Sequence, residues 1–178
     1  NSVTIMGIAT AGISAYFLSI GLLWAGGIVL IVSGAFDFLD GALARLTNRT
    51  SKFGALLDSI ADRLSEAIVL LGLLIFYARG DSSHDIYGTV LVYLAVMGSV
   101  MVSYLRARSE GLGIQCNVGI MTRPERVITL SVGLILGHWF LASVMISLGI
   151  IAGLTFVTAT QRLVHSWRIL NDQNVKHN

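Results

Sequence analysis

Four aspartates interrupt runs of apolar residues, Asp37 and Asp40 in GAFDFLDGALAR and Asp58 and Asp62 in GALLDSIADR. Spacings of three and four put each pair on one face of a helix. An ionised aspartate at the centre of a bilayer costs ~2.5–3.5 kcal/mol on insertion scales. With Arg45 near the end of its helix, Asp37 and Asp40 lie ~8–12 Å inside it at ~1.5 Å per residue. The sites are therefore off-centre and cost less, yet four of them still need cations or water. Arg45 and Arg63 cannot neutralise four clustered aspartates together with Glu66. Hard divalent cations such as Mg²⁺ take carboxylate oxygens, and two would balance the four charges. A metal pair ~3.5–4 Å apart is a recurring device for displacement at phosphorus.

The elements that position these residues follow from composition. The chain has 178 residues, 54% hydrophobic and 12% charged, with one proline, and Asn1 to Phe36 contains no charged residue. Soluble domains carry roughly 25% charged residues, so the solvent for most of this chain is lipid. A span needs about 20 apolar residues. The sequence predicts an all-α membrane protein, a single domain over 1–178 and a bundle of six transmembrane helices near 3–20, 22–46, 53–78, 87–108, 122–140 and 142–169. GDSSHDIY (80–87) and EGLGIQCNVGIM (110–121) read as connecting loops. Thr122-Arg123-Pro124-Glu125 has capping-box spacing, with proline in the first turn where its missing N–H does no harm. The lone Cys116 excludes an internal disulfide and a cysteine-rich zinc site. The four histidines show no ligand spacing, Trp24, Trp139 and Trp167 suit interfacial belts, and Gly133-x3-Gly137 suits close helix packing, within the chain in preference to between subunits.

Six spans put Arg45, Arg49, Lys52, Arg63, Arg106, Arg108, Arg123, Arg126, Arg162, Arg168 and Lys176 on one side and only Arg79 on the other. By the positive-inside rule the basic rim and both termini are cytoplasmic, in a multi-pass protein of the cell membrane.

The full spacing, Asp37-x2-Asp40-Gly41-x2-Ala44-Arg45-x8-Gly54-x3-Asp58-x3-Asp62, resembles the signature of the CDP-alcohol phosphotransferase family at all eight defined positions. That resemblance implies transfer of a phosphatidyl-type group from a CDP-linked lipid to an alcohol, with release of CMP. It implies two Mg²⁺ or Mn²⁺ ions on Asp37, Asp40, Asp58 and Asp62, with Asp62 as general base. Gly41, Ala44 and Arg45 would border the nucleotide, joined by Asn1 and Thr4, and a homodimer is expected. Family members carry a short amphipathic segment before the first span, and here the chain opens at the stretch entering that span.

Ser103-Tyr104-Leu105-Arg106-Ala107-Arg108, Arg123-Pro124-Glu125-Arg126 and Gln161-Arg162 resemble the phosphatidylinositol-phosphate synthase branch. The resemblance implies an inositol phosphate acceptor, its phosphate held by Arg106 or Arg108, Arg126 and Arg162. Guanidinium forks suit phosphate, so the chemistry agrees. Phosphatidylglycerophosphate synthases, which take glycerol phosphate, are the nearest competitor within the family. Outside it, a cation or proton transporter would spread its acidic residues through the membrane thickness, whereas these sit near one face among arginines. A non-catalytic scaffold would not need the full carboxylate set, and nothing points to nucleic acid.

The basic asymmetry generates a direct test. Cysteines placed at Asp81 or Ser83 should label from the outer face and one at Asn117 from the cytoplasmic face; labelling of both loops from one side would exclude six spans.

Overall fold

The computed structural model describes the backbone of residues 2–46, 52–80 and 83–177, and the side chains of 5–35, 53–80 and 85–172. The described residues form six helices and no strand: α1 (Ser2–Ser19), α2 (Leu23–Leu46), α3 (Lys52–Ala78), α4 (Ser83–Gly111), α5 (Arg123–Leu136) and α6 (Ala142–His177). The expectation of an all-α chain therefore holds. By length and composition, two described stretches can each cross a bilayer, Asp85–Gly111 and Ala142–Asp172; Ile5–Ser19 and Leu23–Ala35 are apolar but shorter. Charged residues break the apolar run in α3, and α5, at 14 residues, reaches only ~21 Å at 1.5 Å per residue.

Each helix packs on two others, in the cyclic order α1, α3, α4, α6, α5, α2 and back to α1. The core inside this ring is aliphatic, with Leu18, Leu73, Leu134, Val144 and Leu148 fully buried. Between helices in lipid, apolar burial supplies little driving force and close approach of backbones matters more. Gly133 shows this on α5: a Cβ there would lie 2.2 Å from the Ser147 hydroxyl of α6, and one on Gly137 would lie 2.7 Å from Val144. The Gly133-x3-Gly137 pattern thus packs α5 on α6 within the chain, as expected from its spacing.

Several boundaries differ from the sequence expectation. Most of 80–87 is not a loop, because α4 starts at Ser83. Asp85 lies in its first turn, where a carboxylate suits the positive end of the helix dipole. The fifth helix stops at Leu136 rather than 140; the Gly137 N–H caps onto the Gly133 carbonyl at 2.9 Å and the chain turns into α6. Trp139 and Phe140 stand exposed in that turn, in keeping with an aromatic belt. The capping-box spacing is also used differently. Thr122 is the N-cap residue but makes no side-chain bond to a backbone N–H. Its hydroxyl donates to the Glu125 carboxylate instead.

Candidate active site

A cavity of about 300 Å³ opens where α3, α4, α5 and α6 approach one another, bordered by Ser59, Asp62, Arg63, Glu66, Ser103, Arg106, Glu110, Thr122, Arg123, Arg126 and Arg162. Nearly all these side chains are charged or hydroxylic, in a chain that is otherwise apolar. Helical spacing explains how they meet. Asp62 and Glu66 are four apart on α3, Arg123 and Arg126 are three apart on α5, and each pair shares a face. The faces meet as two rungs: Arg123 Nη1 lies 2.6 Å from Asp62 Oδ1, and Arg126 Nε lies 2.6 Å from Glu66 Oε1. α3 and α5 are not among the helix pairs in contact. The arginines therefore reach across the ring interior to find their carboxylates.

The rungs differ in burial. Arg123 and Asp62 are 28% and 27% exposed, whereas Arg126 and Glu66 are 4% and 15% exposed. The buried rung is bidentate: Arg126 Nη2 also donates to Glu66 Oε2 at 2.9 Å, and Nη1 donates to the Met121 carbonyl at 3.2 Å. Ser99 of α4 adds a hydroxyl bond to Glu66 Oε1 at 2.9 Å.

Arg162 is equally buried, at 4% exposure, but is held differently. Its Nε donates to the Val118 carbonyl at 2.9 Å and its Nη1 to the Val102 carbonyl at 2.6 Å. No carboxylate among the described residues pairs with it. The loop that presents Val118 is tied to α6 by Met121 N–H donating to Thr158 Oγ1 at 3.0 Å. Gly119, with φ +132°, passes so close that a Cβ would meet Thr158 Cγ2 at 2.4 Å. Glycine is required there on both counts. Cys116 of the same loop is fully buried, a packing residue.

Of the arginines expected to bind an anion, the structure brings Arg106, Arg126 and Arg162 to one cavity. Arg108 is exposed and does not border it. Arg106 pairs at 2.9 Å with Glu110 on its own helix, a half-exposed contact of small energetic weight. Arg123 and Glu66 border the cavity without having been assigned a role from the sequence; the ladder they form joins residues about sixty apart, which no local pattern reveals.

A family model described as CDP-alcohol phosphatidyltransferase matches residues 1–161. The chain belongs to that family. The archaetidylinositol phosphate synthase of Methanothermobacter thermautotrophicus is 36% identical to it over 172 residues, covering 94% of this chain and 83% of that protein. The phosphatidylinositol phosphate synthase of Mycobacterium tuberculosis, solved with CDP-DAG bound, matches with a TM-score of 0.84 at 30% identity, covering 93% of this chain and 85% of that one. The same enzyme in complex with manganese and citrate gives a TM-score of 0.84 and coverage of 93% and 80%. The present chain is thus a transferase of phospholipid synthesis, allied to the inositol phosphate branch.

The signature residues of this CDP-alcohol phosphotransferase fall on α2 and α3. Asp37, Asp40, Gly41, Ala44 and Arg45 lie in the helical backbone near the end of α2, and Thr4 lies in α1; their side chains are outside the described residues, as is Asn1 altogether. Asp58 is exposed one turn before the half-buried Asp62 on α3. Among the described residues no three carboxylate, histidine or cysteine side chains converge; of the expected metal ligands, the side chains of Asp58 and Asp62 on α3 are the ones described. Their carboxylates are hard oxygens one helical turn apart, a donor type that fits Mg²⁺ or Mn²⁺ and not a soft metal.

The unequal burial of the two rungs predicts unequal stability losses. Arg126→Ala should cost about 3 kcal/mol by stranding a largely buried carboxylate, and Arg123→Ala should cost about 1 kcal/mol or less. Unfolding in detergent would show it, and equal losses would contradict the difference in burial.

Proposed function

We propose that this enzyme transfers a phosphatidyl group, or its archaeal ether-lipid counterpart, from a CDP-linked lipid to inositol phosphate with release of CMP. The observation that carries the reading is Arg162, a buried guanidinium bordering the cavity whose partners among the described residues are two backbone carbonyls. A buried cation is stable only with a compensating anion, and a phosphate on the acceptor supplies one. Arg126 and Arg106 would complete the grip. The similarity to archaetidylinositol phosphate and phosphatidylinositol phosphate synthases supports the same acceptor.

In this reading the acceptor hydroxyl oxygen bonds to the phosphorus that carries the lipid, and the bond from that phosphorus to the CMP oxygen breaks. The hydroxyl proton passes to the Asp62 carboxylate, which Arg123 orients at 2.6 Å. Asp37, Asp40, Asp58 and Asp62 would hold two divalent cations, whose charge would offset that on the pyrophosphate. Gly41, Ala44 and Arg45, with Asn1 and Thr4, would border the nucleotide. The same reading places six spans in the cell membrane, the cavity on the cytoplasmic side and a second copy alongside as a homodimer. Charge asymmetry supports the first two and family resemblance the third.

The test is CMP release from CDP-diacylglycerol or its archaeal analogue against inositol phosphate, glycerol phosphate and inositol. Inositol phosphate should be the best acceptor, and a chelator should abolish turnover until Mg²⁺ or Mn²⁺ is restored. Arg162→Ala should raise the acceptor KM by roughly 10- to 150-fold, the scale of one charge-assisted contact, and leave the donor KM nearly unchanged. Free inositol serving as well as its phosphate would overturn the assignment; glycerol phosphate winning would move the enzyme to the neighbouring branch.

A further inference from the structure

The cavity gathers five arginines, yet its wall also carries the carboxylate of Glu66. A carboxylate beside a phosphate site weakens the attraction for phosphate, so its presence needs a reason beyond compensating the buried Arg126 charge. Stability is a poor one, since a buried ion pair adds little over well-packed apolar residues of the same volume. Geometry supplies a better reason. Arginine has five N–H donors in one plane. Glu66 takes one from Nε and one from Nη2, and the Met121 carbonyl takes one from Nη1. One N–H then remains on each terminal nitrogen, and the plane of the fork is fixed. Ser99 fixes Glu66 in turn from α4.

We infer that Glu66 is a positioning residue for acceptor recognition: it clamps Arg126 by its inner edge so that the outer edge meets the acceptor phosphate in one fixed orientation, with Ser99 as the outer brace. The inference rests on the reading of the cavity as a site for a phosphorylated acceptor, and it concerns the phosphate rather than the polyol attached to it. A fixed fork loses less conformational freedom on binding than a mobile one. That gain exceeds the electrostatic loss of placing a carboxylate nearby.

Glu66→Gln keeps the shape and removes the charge, so it separates clamping from simple charge balance. In the full-length enzyme it should raise the KM for the phosphorylated acceptor by roughly tenfold or more, the scale of one charged hydrogen bond. The KM for the CDP-lipid should stay within about twofold, well inside that scale. In an Arg126→Ala background the same substitution should have little further effect on the acceptor KM, because Glu66 acts through that arginine. Ser99→Ala, a milder change, should shift the acceptor KM in the same direction by roughly 2- to 10-fold. The inference is overturned if Glu66→Gln leaves the acceptor KM unchanged or lowers it, the result charge balance predicts. It is also overturned if donor and acceptor constants worsen together, or if Glu66→Gln and Arg126→Ala effects simply add. The assay uses whichever phosphorylated acceptor the unmodified enzyme prefers. A preference for glycerol phosphate would thus defeat the inositol assignment while leaving the clamp to be judged by its own constants.

Discussion

Two ion pairs cross the interior of the helix ring, Asp62 to Arg123 and Glu66 to Arg126. They join α3 to α5, which do not pack directly on each other. Charges this far inside an apolar bundle are tolerated only when paired or solvated. The ladder therefore constrains everything near it. It sets the distance between two helices that have no packing contact to set it, and it keeps open the space beside them. It also orients the first turn of α5, whose proline and N-cap threonine deliver Arg123 and Arg126 on one face. An apolar repacking of the same positions would close the cavity.

Arg162 is the complement of that ladder. Among the described residues the same burial is met there by two carbonyls and no carboxylate. The glycine loop before α5 makes this arrangement possible, since Gly119 lets the chain pass close to Thr158 and aim the Val118 carbonyl at Nε. Among the described residues, the carboxylates of α3 and the arginines of α4 to α6 thus border one cavity.

Much of this was legible in the sequence, for definite reasons. Uncharged runs of bilayer length and the spacing of four aspartates exposed the helices and the signature, because both are local and periodic. The choice of Arg106 or Arg108, Arg126 and Arg162 came from resemblance, and the structure gathers Arg106, Arg126 and Arg162 at one cavity while leaving Arg108 outside it. What stayed hidden was non-local. Glu66 looked like one more charge beside four aspartates, and nothing sixty residues upstream of Arg126 announces its partner. The Thr122 spacing suggested a reciprocal cap, whereas its hydroxyl turned to the Glu125 carboxylate. The early end of α5 at Leu136 depends on how Gly137 meets Val144 of α6, which is a matter of packing. The ring order of the helices is likewise set by contacts and not by any periodicity.

The most direct measurement of the central claim is an experimental structure of the enzyme with Mn²⁺ and inositol phosphate bound. The account predicts acceptor phosphate oxygens at about 2.7–2.9 Å, the length of charge-assisted bonds, from the Arg162 and Arg126 guanidinium nitrogens. The Glu66 clamp should be intact on the opposite edge of Arg126. A phosphate bound instead at Arg108 or Arg168, with Arg162 still turned only to its two carbonyls, would contradict it.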